Sequence, residues 1–209
     1  MPDTPARRVM IIAGEASGEA RAAHLVEEVR RRSPNVEFFG IGGSRMRAAG
    51  VDTLVDIRDM AVLGLFEVLK QYRFIKGVLT RMQGLLKEQR PDLLILVDYS
   101  GFNLRLAPTA KELGIPVLYY ISPQVWAWRK KRIFKIKEVV DRMAVVFPFE
   151  VPFYEQAGVP VTYVGHPLVD EVASAFDRDG AVRDLGLDPN KPVVGLFPGS
   201  RRSELQRLL

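Results

Sequence analysis

Asp98 stands directly after the apolar run Leu93–Val97. A carboxylate at the C-terminal end of a buried strand is well placed to take a proton from a substrate hydroxyl. The same position also suits capping of a helix that opens near Asn103, or bonding to turn amides. Gly14-Glu15-Ala16-Ser17-Gly18-Glu19 follows another apolar run and precedes a helical pattern. Its glycines allow tight backbone, and a helix N-terminus offers N–H groups and positive dipole to an anion. The spacing is not the dinucleotide fingerprint, and a Gly-rich turn with Ser17 as cap is the plainer reading. Ile41-Gly42-Gly43-Ser44-Arg45-Met46 repeats the theme, as a phosphate loop or as a sharp turn.

Both tryptophans lie in Tyr119-Tyr120-Ile121-Ser122-Pro123-Gln124-Val125-Trp126-Ala127-Trp128, and Arg129, Lys130, Lys131, Arg132, Lys135 and Lys137 follow. Aromatics beside cations suit sugar stacking, acidic headgroups or nucleic acid. A solvated basic helix with core tryptophans fits as well. No nucleic-acid module surrounds the run, so no nucleic-acid partner is expected. Phe147-Pro148-Phe149-Glu150 and Gly165-His166-Pro167 also follow apolar runs. His166 is either functional or a satisfied structural imidazole, whereas His24 inside a helical pattern reads as structural. Asp177-Arg178-Asp179 has the D-x-D form of one metal-dependent transferase class, but no strand precedes it. It reads as a solvated loop, and no metal is expected.

Met60-Ala61-Val62-Leu63-Gly64-Leu65-Phe66 is apolar without looking like a strand. Val68, Leu69, Phe74, Ile75, Val78 and Leu79 continue it, interleaved with Lys70, Arg73, Lys76 and Arg81. Two core helices would show this pattern. So would an interfacial surface, with Leu63, Leu65, Phe66 and Leu69 on a bilayer and Lys70 and Arg73 reaching anionic headgroups.

Such residues need elements to hold them. Short apolar runs occur at Val9–Ala13, Val36–Ile41, Leu93–Val97, Val117–Ile121, Met143–Phe147, Val161–Val164 and Val193–Phe197. Each reads as a strand buried on both faces. Amphipathic stretches lie between many of them: Glu19–Arg32, Phe74–Gln89, Asn103–Leu113 and Arg132–Val140. This alternation predicts an α/β fold, a doubly wound parallel sheet with helices on both faces. Of 209 residues, 47% are hydrophobic and 26% charged. That balance excludes a disordered chain, a collagen and a coiled coil. A net charge of +5 favours anionic partners. The absence of cysteine excludes disulfides, thiolate metal sites and a cysteine nucleophile. The longest charge-free stretch, Leu113–Trp128, is broken by Pro116, Ser122, Pro123 and Gln124. It is not the ~20-residue apolar span of a membrane helix. Nothing at the N-terminus reads as a signal peptide, so a cytoplasmic chain is expected.

Asp170–Pro192 is charged and contains Gly180, Gly186 and Pro189, which marks a boundary. Residues 1–169 read as one Rossmann-like domain, 170–191 as a linker, and 192–209 as the start of a second. The chain stops within what reads as the first turns of a helix capped by Ser203, so a continuation is expected.

GEASGE, GIGGSRM, LGLFEVL, DYSGFN, YYISPQVWAW, PFE, VGHPL and FPGSR occur in the order and spacing of the lipid-A-disaccharide synthase family. The resemblance runs from about Val9 to Arg201. It implies a GT-B-like fold, two Rossmann-like domains around a cleft, of which this chain carries the first and the start of the second. The family usually has Asp at the position of Glu19, Met-Gly at Leu63-Gly64, and Pro-Asp-Phe-Asn at Ser100-Gly101-Phe102-Asn103. The missing carboxylate at Gly101 is the substantial departure.

The resemblance further implies an inverting glycosyltransferase of lipid A biosynthesis. Its donor is UDP-2,3-diacylglucosamine and its acceptor 2,3-diacylglucosamine 1-phosphate. Asp98 would be the catalytic base. Gly14, Glu15, Ser17, Gly18, Asn103, Ser122, Gln124, Trp126 and His166 would border the acceptor side of the cleft. Gly199, Ser200 and Arg201 would bind the donor diphosphate. No cofactor and no metal are implied. The enzyme would sit peripherally on the inner face of the inner membrane, and the fragment alone would be inactive. A different GT-B-like enzyme, such as a nucleotide-sugar 2-epimerase, and a non-catalytic lipid-binding fragment are the alternatives.

Overall fold

The structure, a computed structural model, describes residues 6–60, 68–127, 131–169, 177–188, 190–199 and 205, with the backbone alone at 68–71. Two compact units divide between Pro167 and Leu168. The first runs β1 (Arg7–Ala13), α1 (Ala16–Arg32), β2 (Val36–Gly42), α2 (Ser44–Ala48), β3 (Val51–Asp56), α3 (Ile57–Met60), α4 (Val68–Gln89) and β4 (Leu93–Val97). It continues with α5 (Ser100–Glu112), β5 (Val117–Tyr120), α6 (Arg132–Val139), β6 (Arg142–Val145), α7 (Glu150–Gln156) and β7 (Val161–Tyr163). The seven strands form one parallel sheet in the order β3-β2-β1-β4-β5-β6-β7.

Successive side chains of a strand point to opposite faces, and the central strands are apolar on both. Val9, Ile11 and Ala13 of β1 pack with Ala22, Ala23 and Val26 of α1 and Met46 of α2. Met10 and Ile12 face the other way, in one cluster with Val78, Met82 and Leu86 of α4 and Leu106 and Ala110 of α5. Helices thus cover both faces, as a parallel sheet requires.

The elements differ from the sequence reading in several places. Helices α1 and α5 open earlier, at Ala16 and Ser100, because Gly18 and Gly101 lie in their first turns and do not break them. Strand β3 is not an apolar run. It lies at the sheet edge and carries Asp52, Thr53 and Asp56. In the second unit, Asp177 does not belong to a loop motif. Its carboxylate accepts the Gly180 N–H at 3.0 Å and caps α8 (Arg178–Asp184). Val193–Phe197 forms no strand, and Val194 and Phe197 are 91% and 93% exposed. A strand needs a neighbour to take its N–H and C=O groups, and among the described residues this segment pairs with none.

Candidate active site

β1 bonds to β2 on one side and β4 on the other, and Ala13 pairs with Val97. The chain leaves β1 through α1 toward β2, and leaves β4 through α5 toward β5. Connections that diverge this way open a crevice at the carboxyl ends of the two strands, where open α/β sheets bind ligands. The next residues in sequence are Gly14 and Asp98. A Cβ on Gly14 would lie 2.2 Å from Cδ1 of Tyr99, so this position admits no side chain. A Cβ on Gly18, in the first turn of α1, would lie 3.7 Å from Cβ of Asp98. The Gly14–Gly18 loop and Asp98 therefore share one site.

Within that loop Glu15 is exposed and stands at the N-cap of α1 without a side-chain capping bond. Ser17 lies inside the helix and is exposed, so it is not the cap that the sequence suggested. The buried residue is Glu19. Its Oε1 accepts the N–H groups of Arg45 at 2.7 Å and Met46 at 3.0 Å, which caps α2 from α1. The Ile41–Met46 segment thus has two of its amides committed internally, as a turn and not a phosphate loop.

Asp98 is half-buried and adopts φ 46°, and Tyr99 follows at φ 39°. Tyr99, not Asp98, is the N-cap of α5. Burial raises the Asp98 pKa above the ordinary carboxylate value, and the charge of Glu15 adds to the rise. A bond from the Tyr99 backbone N–H offsets part of it. A carboxylate held this way is a better proton acceptor than a solvated one.

Asn103 is fully buried and does not line the crevice. Its Nδ2 donates to the carbonyls of Val97 at 3.2 Å and Asp98 at 2.8 Å. The Tyr119 hydroxyl, also fully buried, donates to the same Asp98 carbonyl. Burial pushes the Tyr119 phenol pKa well up, so it stays a donor. In front of the turn, Gly14, Glu15, Ala16, Ile57, Arg58, Met60 and Tyr99 line a cavity of ≈ 450 Å³. Its Arg58 is held by Asp56 through bonds of 3.0 and 2.9 Å. The Arg58 guanidinium, the Arg58 backbone N–H and Arg47 keep that carboxyl far below the usual range.

Further along the same sheet edge, Ser122 is buried and donates to the buried Glu150 carboxylate. Glu150 also accepts the Phe147 N–H at 3.2 Å. The Tyr154 hydroxyl donates to the Pro123 carbonyl at 3.3 Å, and burial pushes its pKa up to about 12. Ser122 therefore ties the loop after β5 to α7 and is not a cleft side chain. Gln124 is exposed and Trp126 half-buried. Trp126 meets Phe149 edge-on at 5.0 Å, Phe149 stacks on Phe147 at 5.5 Å, and Phe147 contacts His166 at 5.6 Å. These rings join the loops after β5, β6 and β7 in one aromatic run. Helix α6 buries Ile133, Ile136 and Val139, and Lys131 at its N-cap is exposed with Lys135 and Lys137, a solvated basic face.

Leu63, Leu65, Phe66, Trp128, Arg129, Lys130, Ser200 and Arg201 lie outside the described residues, as do the side chains of Leu69 and Lys70. Arg73 is exposed near the start of α4, beside Tyr72 and Phe74, which are 58% and 40% exposed. Gly199 is exposed in the second unit at φ 105°. The roles of Glu19, Tyr119 and Glu150 were missed from sequence. Tyr119 and Glu150 are polar groups in otherwise apolar stretches, which is a signal, whereas Glu19 stands between Glu15 and Arg21 and carries none.

Residues 9–209 match a family model described as lipid-A-disaccharide synthetase. The chain is 60% identical over 203 residues to the lipid-A-disaccharide synthase of Trichlorobacter lovleyi, covering 97% of this chain and 53% of that protein. It is 57% identical over 208 residues to the lipid-A-disaccharide synthase of Geobacter metallireducens, covering 100% and 54%. The chain spans about half the length of the curated relatives it matches. Among solved structures, the UDP-N-acetylglucosamine 2-epimerase of Rickettsia bellii superposes with TM-score 0.58 at 15% identity, over 88% of this chain and 52% of that one. The Neisseria meningitidis UDP-GlcNAc 2-epimerase bound to UDP-GlcNAc gives 0.56 at 9% identity, over 86% and 53%. Identities this low carry the GT-B-like fold and nothing finer. The family model, by contrast, follows the chain from the first strand onward, and the chain belongs to the lipid-A-disaccharide synthase family.

Proposed function

We propose that this chain is the acceptor-side part of an inverting glycosyltransferase that joins two diacylglucosamine units. The observation that carries the reading is Asp98, a half-buried carboxylate of raised pKa at the switch point, facing the Gly14–Gly18 loop. Asp98 takes the proton from the 6-hydroxyl of diacylglucosamine 1-phosphate. The oxygen bonds to the anomeric carbon of UDP-diacylglucosamine as the bond to phosphate breaks, and UDP leaves with inversion. One base suffices, and the departing charge needs amides or cations. Gly199, Ser200 and Arg201 fill that role at the opening of the donor domain, which the rest of the protein completes. Glu15, the exposed Gln124 and the half-buried Trp126, with His166, border the acceptor.

The lipid substrates reach the site from an anionic membrane surface, on which the start of α4 rests. Exposed Tyr72 and Phe74 beside Arg73 and Lys76 support that reading, as does the apolar sequence Leu63, Leu65, Phe66 and Leu69 with Lys70. No helix among the described residues is long and apolar enough to cross a membrane. The deciding experiment is Asp98→Asn in the protein at the full length of its relatives. Loss of a general base costs about 10²–10⁴-fold in transfer. Activity within a few-fold of wild type would move the base elsewhere.

A further inference from the structure

We infer that Tyr119 and Asn103 are positioning residues for the Asp98 carboxylate, holding the Val97–Tyr99 turn in a left-handed conformation it would otherwise leave. The inference rests on the reading of Asp98 as the base. Asp98 and Tyr99 are consecutive non-glycine residues with positive φ, at 46° and 39°. Side chains disfavour that region, and it persists only where the surroundings over-determine it. What the turn achieves is a change of face. Val97 points to the α1 side of the sheet, so an extended Asp98 would point to the α4–α5 side. Instead its Cβ lies beside Gly18 of α1, at the crevice.

The backbone of the turn is held from behind. The Asp98 carbonyl accepts from both Asn103 Nδ2, at 2.8 Å, and the Tyr119 hydroxyl. The Val97 carbonyl accepts from Asn103 as well, at 3.2 Å. The Tyr99 carbonyl accepts the N–H groups of Phe102 at 3.2 Å and Asn103 at 3.1 Å, which starts α5 and fixes where Asn103 stands. Asn103 and Tyr119 have no solvent exposure, so water cannot replace either donor and neither touches substrate. Their task is to keep the carboxylate aimed.

The test uses the full-length enzyme. Tyr119→Phe deletes one hydroxyl and keeps the ring. Asn103→Asp keeps the shape but sets a carboxylate against two carbonyls. A misplacement of about 1 Å costs on the order of 10²-fold in rate. Tyr119→Phe should lower kcat by about 10–100-fold on that scale, with acceptor KM nearly unchanged and the protein folded by circular dichroism. Glycine adopts the left-handed region freely, so the Tyr119→Phe loss should be clearly smaller in a Tyr99→Gly background. If Asp98→Asn is inactive while Tyr119→Phe keeps wild-type kcat per folded molecule, the positioning role is overturned and the base assignment stands. If Asp98→Asn stays active, both fall. Should Asn103→Asp fail to fold, Tyr119→Phe alone decides.

Discussion

Burial and the charge of Glu15 both press Asp98 toward its protonated form. A carboxyl whose folded pKa lies above its unfolded value binds its proton more tightly in the folded state. Its stabilising contribution is full below the unfolded pKa and is lost as pH rises through the raised folded pKa. At neutral pH the ionised Asp98 therefore weakens the fold. Asp98→Asn should raise the Tm of this chain at pH 7–8, and the gain should vanish near the ordinary carboxyl pKa of about 3.9; thermal melts across pH check this. Transfer in the full-length enzyme should fall on the acid side above the usual carboxylate range. Gly101 is the second residue to test. It lies in the first turn of α5, exposed, and an added Cβ would meet nothing within 4 Å. Gly101→Asp should stabilise the chain by about 1 kcal/mol, from helix propensity and the dipole. A fall in urea midpoint would contradict it. Asp98 and the glycine loop were legible because a strand's end is a position in sequence. Ser122 and Asn103 were not, since their burial depends on Glu150 and Tyr119, which are distant in the chain.

Elements answer to packing partners that sequence does not display. The loop after β5 is held to α7 by Ser122 and Glu150, both buried. Ser122→Ala leaves the carboxylate short of a donor and should cost about 1–3 kcal/mol in urea unfolding, as a buried group left unsatisfied does. Helix α4 is a core helix beyond its first turns. Val78, Met82 and Leu86 enter the core, whereas Tyr72, Arg73 and Phe74 face out. Co-sedimentation with liposomes should rise with anionic lipid, fall with salt, and fall in a Leu63→Ser/Phe66→Ser/Leu69→Ser variant. Wild-type binding by that variant, or its unfolding, would assign those side chains to the core. The central strands show in the sequence as apolar runs because helices cover both their faces. β3 does not, because its edge position lets Asp52 and Asp56 stay polar.

For the whole molecule, strand alternation made the doubly wound class legible, but the order β3-β2-β1-β4-β5-β6-β7 is a tertiary fact. So is the fate of Val193–Phe197, which has strand composition and no ladder partner among the described residues. Under the proposed function the 209-residue chain alone should form no disaccharide from the two lipid substrates. Turnover near that of a full-length relative would overturn the assignment of the donor side to the remaining length.

The register at the switch point also has a history in time. Val9 pairs with Leu93, and Ala13 with Val97. While the chain is still emerging from a ribosome, β1 can find β2 early, but the other wall of the crevice has not been made. Pairings this distant in sequence form slowly. A nascent chain halted before β4 would thus hold the glycine loop with nothing opposite it, and the Asp98 turn gains its full set of backbone bonds only after Asn103 of α5 and Tyr119 of β5 have followed.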